Sequence, residues 1–234
     1  MIRYIASVFL LTFVAFCVAV LPSSDAVARE KGANIYDHRT GKWVKKLKVY
    51  RRHGPATKFK RRNVSISTNE KAGTIIVDTK TKYLYLITGK NKAIRYGIGV
   101  GREGFGWNGV VRLASKAKWP SWTPPPEMVR REWKQNKRRV GFMKGGPKNP
   151  LGARALYLHQ RKGGDTGYRI HGTNQPWSIG LNMSSGCIRL MNKDIEHLYE
   201  RAKKGAKVVV IGPNGKNRKK YYSPRSGIFA SLFN

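Results

Sequence analysis

The chain has few cysteines and no recognisable metal-binding motif. It contains two cysteines, Cys17 and Cys187, and five dispersed histidines. Because there is no H-E-x-x-H pattern and no paired cysteine motif, we expect neither a metal site nor another cofactor. A Walker loop and a serine in a G-x-S-x-G elbow are also missing, which excludes the two catalytic classes that those motifs mark.

Acidic residues are scarce as well. The 234 residues include 12 Asp and Glu against 47 Lys and Arg, which gives a formal net charge of +35 at pH 7. Such a positive field favours polyanionic partners, namely nucleic acid, phosphorylated lipid headgroups or a carboxylate-bearing polymer. Hydrophobic residues make up 40% of the chain and aromatic residues 11%, a composition typical of globular rather than disordered proteins.

The amino-terminal segment has the layout of a secretory signal. The run Tyr4–Leu21 is almost purely apolar, and Ala26-Val27-Ala28 is a small-x-small site, so we expect cleavage after Ala28. An uncleaved anchor is the alternative, since the run approaches the ~20 residues that span a bilayer. Export makes nucleic acid an unexpected partner. Cleavage leaves Cys187 as the one remaining cysteine, which excludes an intramolecular disulfide.

A histidine and this cysteine are spaced for cooperation. A thiol with a free pKa of about 8.5 becomes an effective nucleophile when an imidazole accepts its proton. His171 and Cys187 are 16 residues apart, which suits two neighbouring strands that place both side chains at one sheet end. Gly186 allows close substrate approach and a turn whose N–H groups face an oxyanion. Arg189 shares the strand face of Cys187 and suits a carboxylate. A buried structural cysteine is the alternative.

These residues also carry a family resemblance. His171-Gly172-Thr173 followed by Ser184-Ser185-Gly186-Cys187-Ile188-Arg189-Leu190 resembles the signature of the L,D-transpeptidase (YkuD-type) catalytic domain. The similarity extends over roughly residues 72–212 and includes 119–125 and 149–154. The chain departs from the pattern at Ser185, where many relatives carry a second histidine.

The resemblance implies an exported transferase that remodels peptidoglycan, without a cofactor, in the periplasm or cell envelope. It implies that Cys187 is the nucleophile, that His171 accepts its proton and that the Gly172 carbonyl orients the imidazole. Arg189 holds a substrate carboxylate or braces the loop. The residues implied for oxyanion binding and substrate positioning are Ser185, Gly186 and Arg189.

The implied partners are peptidoglycan stem peptides, as donor and as acceptor in 3-3 cross-links or transfer to another amine. Anionic outer-surface lipids and outer-membrane proteins are further candidates, and the sequence does not set the oligomeric state. Two alternatives stay open. One is an L,D-carboxypeptidase or endopeptidase that hydrolyses stems at the same site. The other is a non-catalytic basic protein that binds the wall.

The sequence predicts four segments and a mainly β fold. They are a signal peptide at 1–28, a basic flexible arm at 29–71, the catalytic domain at 72–212 and a basic, mobile C-terminal tail at 213–234. We expect a β-sandwich or barrel, because β-branched runs and tight turns follow Gly73. The resemblance places one short helix after the catalytic strand.

Two further elements bear on the site. A helix is predicted after Asn192, which we expect to be its N-cap. Its apolar face repeats at helical spacing and comprises Ile195, Leu198, Tyr199 and Ala202. Residues 116–139 form a long Trp- and Pro-rich insertion with a short helix near 127–137. Its aromatic residues either line a lid or binding wall, or pack the insertion onto the sheet.

Overall fold

The computed structural model describes residues 35–37, 42–44, 54–101, 107–137, 139–184 and 186–224. The predicted signal segment 1–28 lies outside the described residues, as do Ser185 and residues 225–234. Among the helices in the described part, none has both the length and the apolar character needed to cross a membrane.

Strands dominate the described chain, which confirms the predicted mainly β class. In chain order the strands are β1 (Ile35–Asp37), β2 (Lys42–Val44), β3 (Arg62–Ser67), β4 (Ile75–Asp78), β5 (Tyr83–Gly89), β6 (Lys92–Gly97), β7 (Val100–Gly101), β8 (Gly109–Lys118), β9 (Arg154–His159), β10 (Asp165–His171), β11 (Asn182–Ser184), β12 (Ile188–Arg189), β13 (Lys207–Ile211) and β14 (Ser223–Pro224). The α-helices are α1 (Pro126–Asn136), α2 (Asn192–Arg201) and α3 (Arg218–Tyr221), with 3-10 turns at Thr57–Phe59 and Pro176–Ser178.

Ten of these strands form one mixed sheet in the order β12-β10-β9-β8-β13-β4-β5-β6-β3-β14. β13 lies in the middle, antiparallel to β8 and parallel to β4. It therefore joins two halves of the sheet, one that contains β12, β10, β9 and β8, and one that begins with the β4–β5–β6 meander. The pairs β1–β2 and β7–β11 form separate two-stranded sheets.

Both faces of the central strands are covered. Strand side chains alternate between faces, so Ile75 and Val77 of β4 point into one core and Ile76 into the other. α2 lies against the first core and buries Ile195 and Leu198 there, as its apolar periodicity predicts. Strands buried on two faces require near-continuous apolar runs, which β4 and β13 have.

The start of α2 differs from the prediction. Asn192 is the first helical residue rather than the N-cap, which is Met191 with no side-chain capping bond. The Asn192 side chain is committed elsewhere, since its amide oxygen accepts hydrogen bonds from the backbone of Ala153 and Thr173. A long-range contact therefore replaces the local one that the sequence favours.

Parts of both predicted basic flanks form regular secondary structure. Part of the expected flexible arm is structured, because β3 pairs with β6 and buries Ile66. Within the predicted tail, residues 218–221 form α3 and are followed by β14, which pairs with β3. Between them Tyr222 is buried and its hydroxyl donates to Asp78 over 2.7 Å.

Candidate active site

The histidine and the cysteine of the motif lie on neighbouring parallel strands. β10 ends at His171, and its register with β12 pairs Ile170 with Ile188 and His171 with Arg189. Cys187 comes one residue before β12 and so lies diagonally across from His171. Because alternate residues share a face, Cys187, Arg189 and His171 project to one side of the sheet. The Leu190 N–H donates to the His171 carbonyl over 2.8 Å and fixes this alignment.

The imidazole of His171 is buried and held by backbone carbonyls. Its Nδ1 lies 2.6 Å from the Gly172 carbonyl oxygen, which can only accept, so Nδ1 carries the hydrogen. Nε2 is then the nitrogen with a lone pair. Burial, together with the Arg189 charge, lowers the pKa of His171 to about 3, although the Gly172 and Leu151 carbonyls favour the protonated ring. The ring is therefore neutral at pH 7.

Cys187 is partly exposed, but its sulfur lies in desolvated surroundings. Burial raises the pKa of the Cys187 thiol above its ordinary value, against a hydrogen bond from the Arg169 backbone and the positive charges of Arg189 and Arg169. The resting site therefore pairs a neutral thiol with a neutral imidazole. The guanidinium groups of Arg169 and Arg189 stabilise negative charge that develops on the sulfur.

Asn192 braces the carbonyl that holds the imidazole. Its Oδ1 accepts from the Ala153 and Thr173 N–H groups, each at 3.1 Å. The same oxygen lies so close to Gly152 and Gly172 that a Cβ on either glycine would approach it to 2.3 Å. Glycine is therefore required at both positions. The sequence does not reveal this role of Asn192, because the pattern around this residue also fits a helix N-cap.

A second asparagine holds the turn beside the His171 ring. Buried Asn149 accepts a hydrogen bond from the Leu151 N–H and so sets the turn whose Leu151 carbonyl lies near the His171 ring. The Asn149 amide nitrogen lies within 3.0–3.2 Å of three backbone carbonyls of the insertion and the segment after it. These carbonyls belong to Pro120, Met143 and Lys144.

Arg189 is fixed through both its backbone and its side chain. Its N–H and carbonyl form a bridge with Gly99, with N···O distances of 2.8 and 2.9 Å. Its guanidinium donates from Nη1 to Gln175 Oε1 over 3.2 Å. Gly186, directly before the cysteine, has φ +105°, a conformation that glycine adopts without strain. Ser185 lies outside the described residues.

The insertion contains exposed aromatic side chains. Its start is tied to the site, because the Trp119 N–H donates to the Ala153 carbonyl over 2.8 Å. The predicted helix is present as α1. Trp119 and Trp133 are exposed and Trp122 is partly exposed. Packing of the aromatic rings onto the sheet therefore does not explain Trp119 and Trp133.

Comparison with known proteins agrees with this geometry. The family model for the L,D-transpeptidase catalytic domain (YkuD) matches residues 72–210. The chain is 32% identical over 164 residues to the probable L,D-transpeptidase ErfK/SrfK of Escherichia coli K12. The aligned region covers 66% of this chain and 51% of that protein. It is 33% identical over 141 residues to the probable L,D-transpeptidase YbiS of the same strain, with 59% and 44% covered.

One solved structure has a higher sequence identity to this chain than these two relatives. The crystal structure of a probable carnitine operon oxidoreductase caia from Brucella melitensis is 43% identical and covers 70% of this chain and 99% of that one, with a TM-score of 0.45. That description applies to the Brucella protein alone. The chain spans about half the length of the curated relatives it matches.

Proposed function

The chain belongs to the L,D-transpeptidase (YkuD) catalytic domain family, and from this premise we propose an exported cysteine transpeptidase that acts on peptidoglycan tetrapeptide stems. The observation that carries the proposal is the placement of His171, with Nδ1 on the Gly172 carbonyl, beside the strand that Cys187 directly precedes. A thiol and a correctly tautomerised imidazole at one sheet end are the parts that acyl transfer needs.

The first step is attack on a peptide carbonyl. His171 Nε2 accepts the Cys187 proton as the sulfur bonds to the carbonyl carbon of the L-centre of diaminopimelate, the residue before terminal D-alanine. Because thiol and imidazole are both neutral at rest, proton transfer accompanies bond formation rather than preceding it. The imidazolium that results donates to the Gly172 carbonyl and is favoured by that of Leu151.

The second step releases D-alanine. The tetrahedral oxyanion is held by backbone N–H groups at Ser185, Gly186 and Cys187, each donor typically worth about 3 kcal/mol. As the C–N bond breaks, His171 returns its proton to the leaving amine of D-alanine. The stem remains bound to Cys187 as a thioester.

The third step transfers the stem to an amine. The amino group of a second stem or another acceptor attacks the thioester and gives its proton to His171, and the sulfur leaves and recovers that proton. The products are an amide, which is a 3-3 cross-link when the acceptor is a stem, and free Cys187. Arg189 holds a stem carboxylate in this scheme. Water as acceptor would give a carboxypeptidase instead.

Incubation of the purified protein with disaccharide-tetrapeptides tests the proposal. We expect cross-linked dimers, released D-alanine and a stem adduct on Cys187 by mass spectrometry. Cys187→Ala should abolish all three while substrate binding persists, and His171→Gln should suppress adduct formation.

The possible outcomes separate the alternatives. Turnover by Cys187→Ala at the parental rate would exclude the cysteine mechanism. Tripeptide without dimers would identify a hydrolase, and binding without any product from the parent protein would identify a wall-binding protein. Export is tested separately by amino-terminal sequencing of envelope protein, where we expect cleavage after Ala28.

A further inference from the structure

In the part of the chain that the structure describes, the exposed large apolar side chains are concentrated in one segment. Within the described residues the exposed large hydrophobics are Trp119 (43% exposed), Val129 (37%), Trp133 (51%) and Phe142 (62%). All four lie in residues 119–148, which we name the aromatic lobe. Scattered exposed hydrophobics are ordinary on a protein surface, whereas their concentration in one segment marks an interaction site.

The aromatic lobe is held together and anchored to the sheet. Trp122 and Met143 form an antiparallel bridge with two backbone hydrogen bonds of 2.8 Å. The Trp119 carbonyl packs so closely on Gly145 that no side chain fits there. The Asn149 amide binds carbonyls from both arms of this bridge. The exposed rings are therefore presented by a braced structure.

α1 supplies an outward face of mixed character. Val129 and Trp133 are one turn apart and both exposed, so they lie on the same side of the helix. Arg130 and Lys134, each next in sequence to one of them, are exposed as well. Arg139 lies over the Trp133 ring, with its guanidinium carbon 5.6 Å from the ring centroid.

The charge of the aromatic lobe indicates which class of partner it binds. The aromatic lobe contains eight Lys and Arg against two Glu. Helices that lie in a bilayer interface combine Trp and aliphatic side chains, which enter about 5–10 Å, with Lys and Arg that meet anionic headgroups. A sugar polymer would use the tryptophans but has no need of exposed Val129 and Phe142. We propose that the aromatic lobe docks on an anionic lipid bilayer.

Docking would place the active site near the membrane surface. The aromatic lobe is joined to the His171 site through the Trp119–Ala153 hydrogen bond and through Asn149. A protein held at this edge works on whatever lies close to the headgroups. This consequence is independent of the chemistry at Cys187, so Cys187→Ala should dock as the parent does.

Quenching of tryptophan fluorescence by lipids with brominated acyl chains tests the proposal on the full chain. The apolar run Tyr4–Leu21 can itself enter vesicles, so the measurement must report on the aromatic lobe. We expect quenching with vesicles that contain about one-third phosphatidylglycerol. The double variant Trp119→Phe/Trp133→Phe should lose most of it. The control Trp107→Phe, whose ring stacks on Tyr168 at 4.7 Å, should keep it.

A second variant tests the apolar contribution. Val129→Asp/Phe142→Asp changes only exposed positions, and we expect it to lower the quenching at least twofold with an unchanged melting temperature. Equal quenching in the parent and in the double tryptophan variant would overturn the proposal, as would equal quenching on purely zwitterionic vesicles. An emission shift with peptidoglycan glycan fragments, and no quenching by brominated lipid, would overturn it in favour of a sugar surface.

Discussion

The side-chain oxygen of Asn192 lies 3.1 Å from the Thr173 backbone nitrogen and accepts its hydrogen bond. Thr173 directly follows the Gly172 carbonyl that receives the His171 ring. The first turn of α2 therefore fixes the peptide that orients the candidate base. Asn192 thus acts on the orientation of the His171 ring through the backbone.

Asn192→Ala should lower both kcat and stability. It removes the acceptor for the Ala153 and Thr173 N–H groups, and each buried donor left unsatisfied costs about 1–3 kcal/mol. Displacement of the Gly172 carbonyl should reduce kcat about tenfold to a hundredfold with little change in KM. Thermal melts and steady-state kinetics measure the two effects.

Two matched variants control this prediction. Asn192→Asp keeps an acceptor oxygen and should restore most of kcat, whereas a role in folding alone would show a stability loss without a change in kcat. Asn174→Ala removes an exposed hydrogen bond to the Lys148 carbonyl and should leave both quantities near parental values.

The pH dependence of thiol alkylation should distinguish a neutral pair from a preformed ion pair. Because burial raises the pKa of Cys187 and lowers that of His171, we expect the rate of iodoacetamide modification to stay low at pH 5–8. It should rise only above the ordinary thiol range, which centres on a pKa of about 8.5. Peptide-resolved mass spectrometry separates Cys187 from Cys17. A modification rate that is already high at pH 5 and stays constant up to pH 8 would indicate a thiolate–imidazolium pair instead.

Acid should destabilise the fold through His171. Its folded-state pKa of about 3 lies below the ordinary value of 6.5, so the unfolded chain binds the extra proton as the pH falls between these values. The free energy of unfolding therefore falls as the pH drops through this window. The largest loss that this group can cause is on the order of 5 kcal/mol and is reached near pH 3. Urea unfolding at pH 7, 5 and 4 measures the slope.

His171→Gln cannot titrate and should flatten this slope. His197→Gln is the matched control, because His197 is only half-buried and bonded to the Tyr96 hydroxyl, so most of the slope should remain. A slope that persists in full in His171→Gln would assign the acid sensitivity to other groups, such as His197, whose pKa burial also lowers from its ordinary value.

The Asp78–Arg218 pair should determine whether the carboxy-terminal segment stays on the sheet. Burial alone would raise the pKa of Asp78, but hydrogen bonds from Arg218 and Tyr222 hold it below its ordinary value. Arg218→Ala removes a charged partner of the buried Asp78 carboxylate. We expect this change to lower the free energy of unfolding by about 3–5 kcal/mol. The free energy of unfolding from urea titrations tests this.

An exposed ion pair provides the comparison. Lys207 and Glu70 lie 2.7 Å apart at the surface, and Lys207→Ala should change the free energy of unfolding by about 0–1 kcal/mol. Equal effects of the two substitutions would show that the Asp78 pair contributes no more than a surface pair.

Much of the sheet was predictable, because β-branched runs and tight turns are local signals. Strands β4 to β6 and β13 lie where those runs predict them, and α2 buries the expected face. The His171–Cys187 spacing also predicted neighbouring strands, and β10 and β12 are paired.

What the sequence did not reveal depends on contacts between distant residues. Asn192 binds backbone 39 and 19 residues away, and no periodicity signals such contacts. The basic composition around Tyr222 favoured a mobile tail, yet this ring packs against Tyr85 and binds Asp78, 144 residues earlier. In both places tertiary contacts add what local sequence preference does not show.

The central position of β13 has a consequence for the making of the protein. The residues of the candidate site, from His171 to Asn192, leave the ribosome before Lys207–Ile211, the strand that unites the two halves of the sheet. Until that strand is available, β4 and β8 have open edges and the halves remain separate. The ten-stranded sheet that carries the candidate site is therefore joined only once a strand that follows the site in the chain has been made.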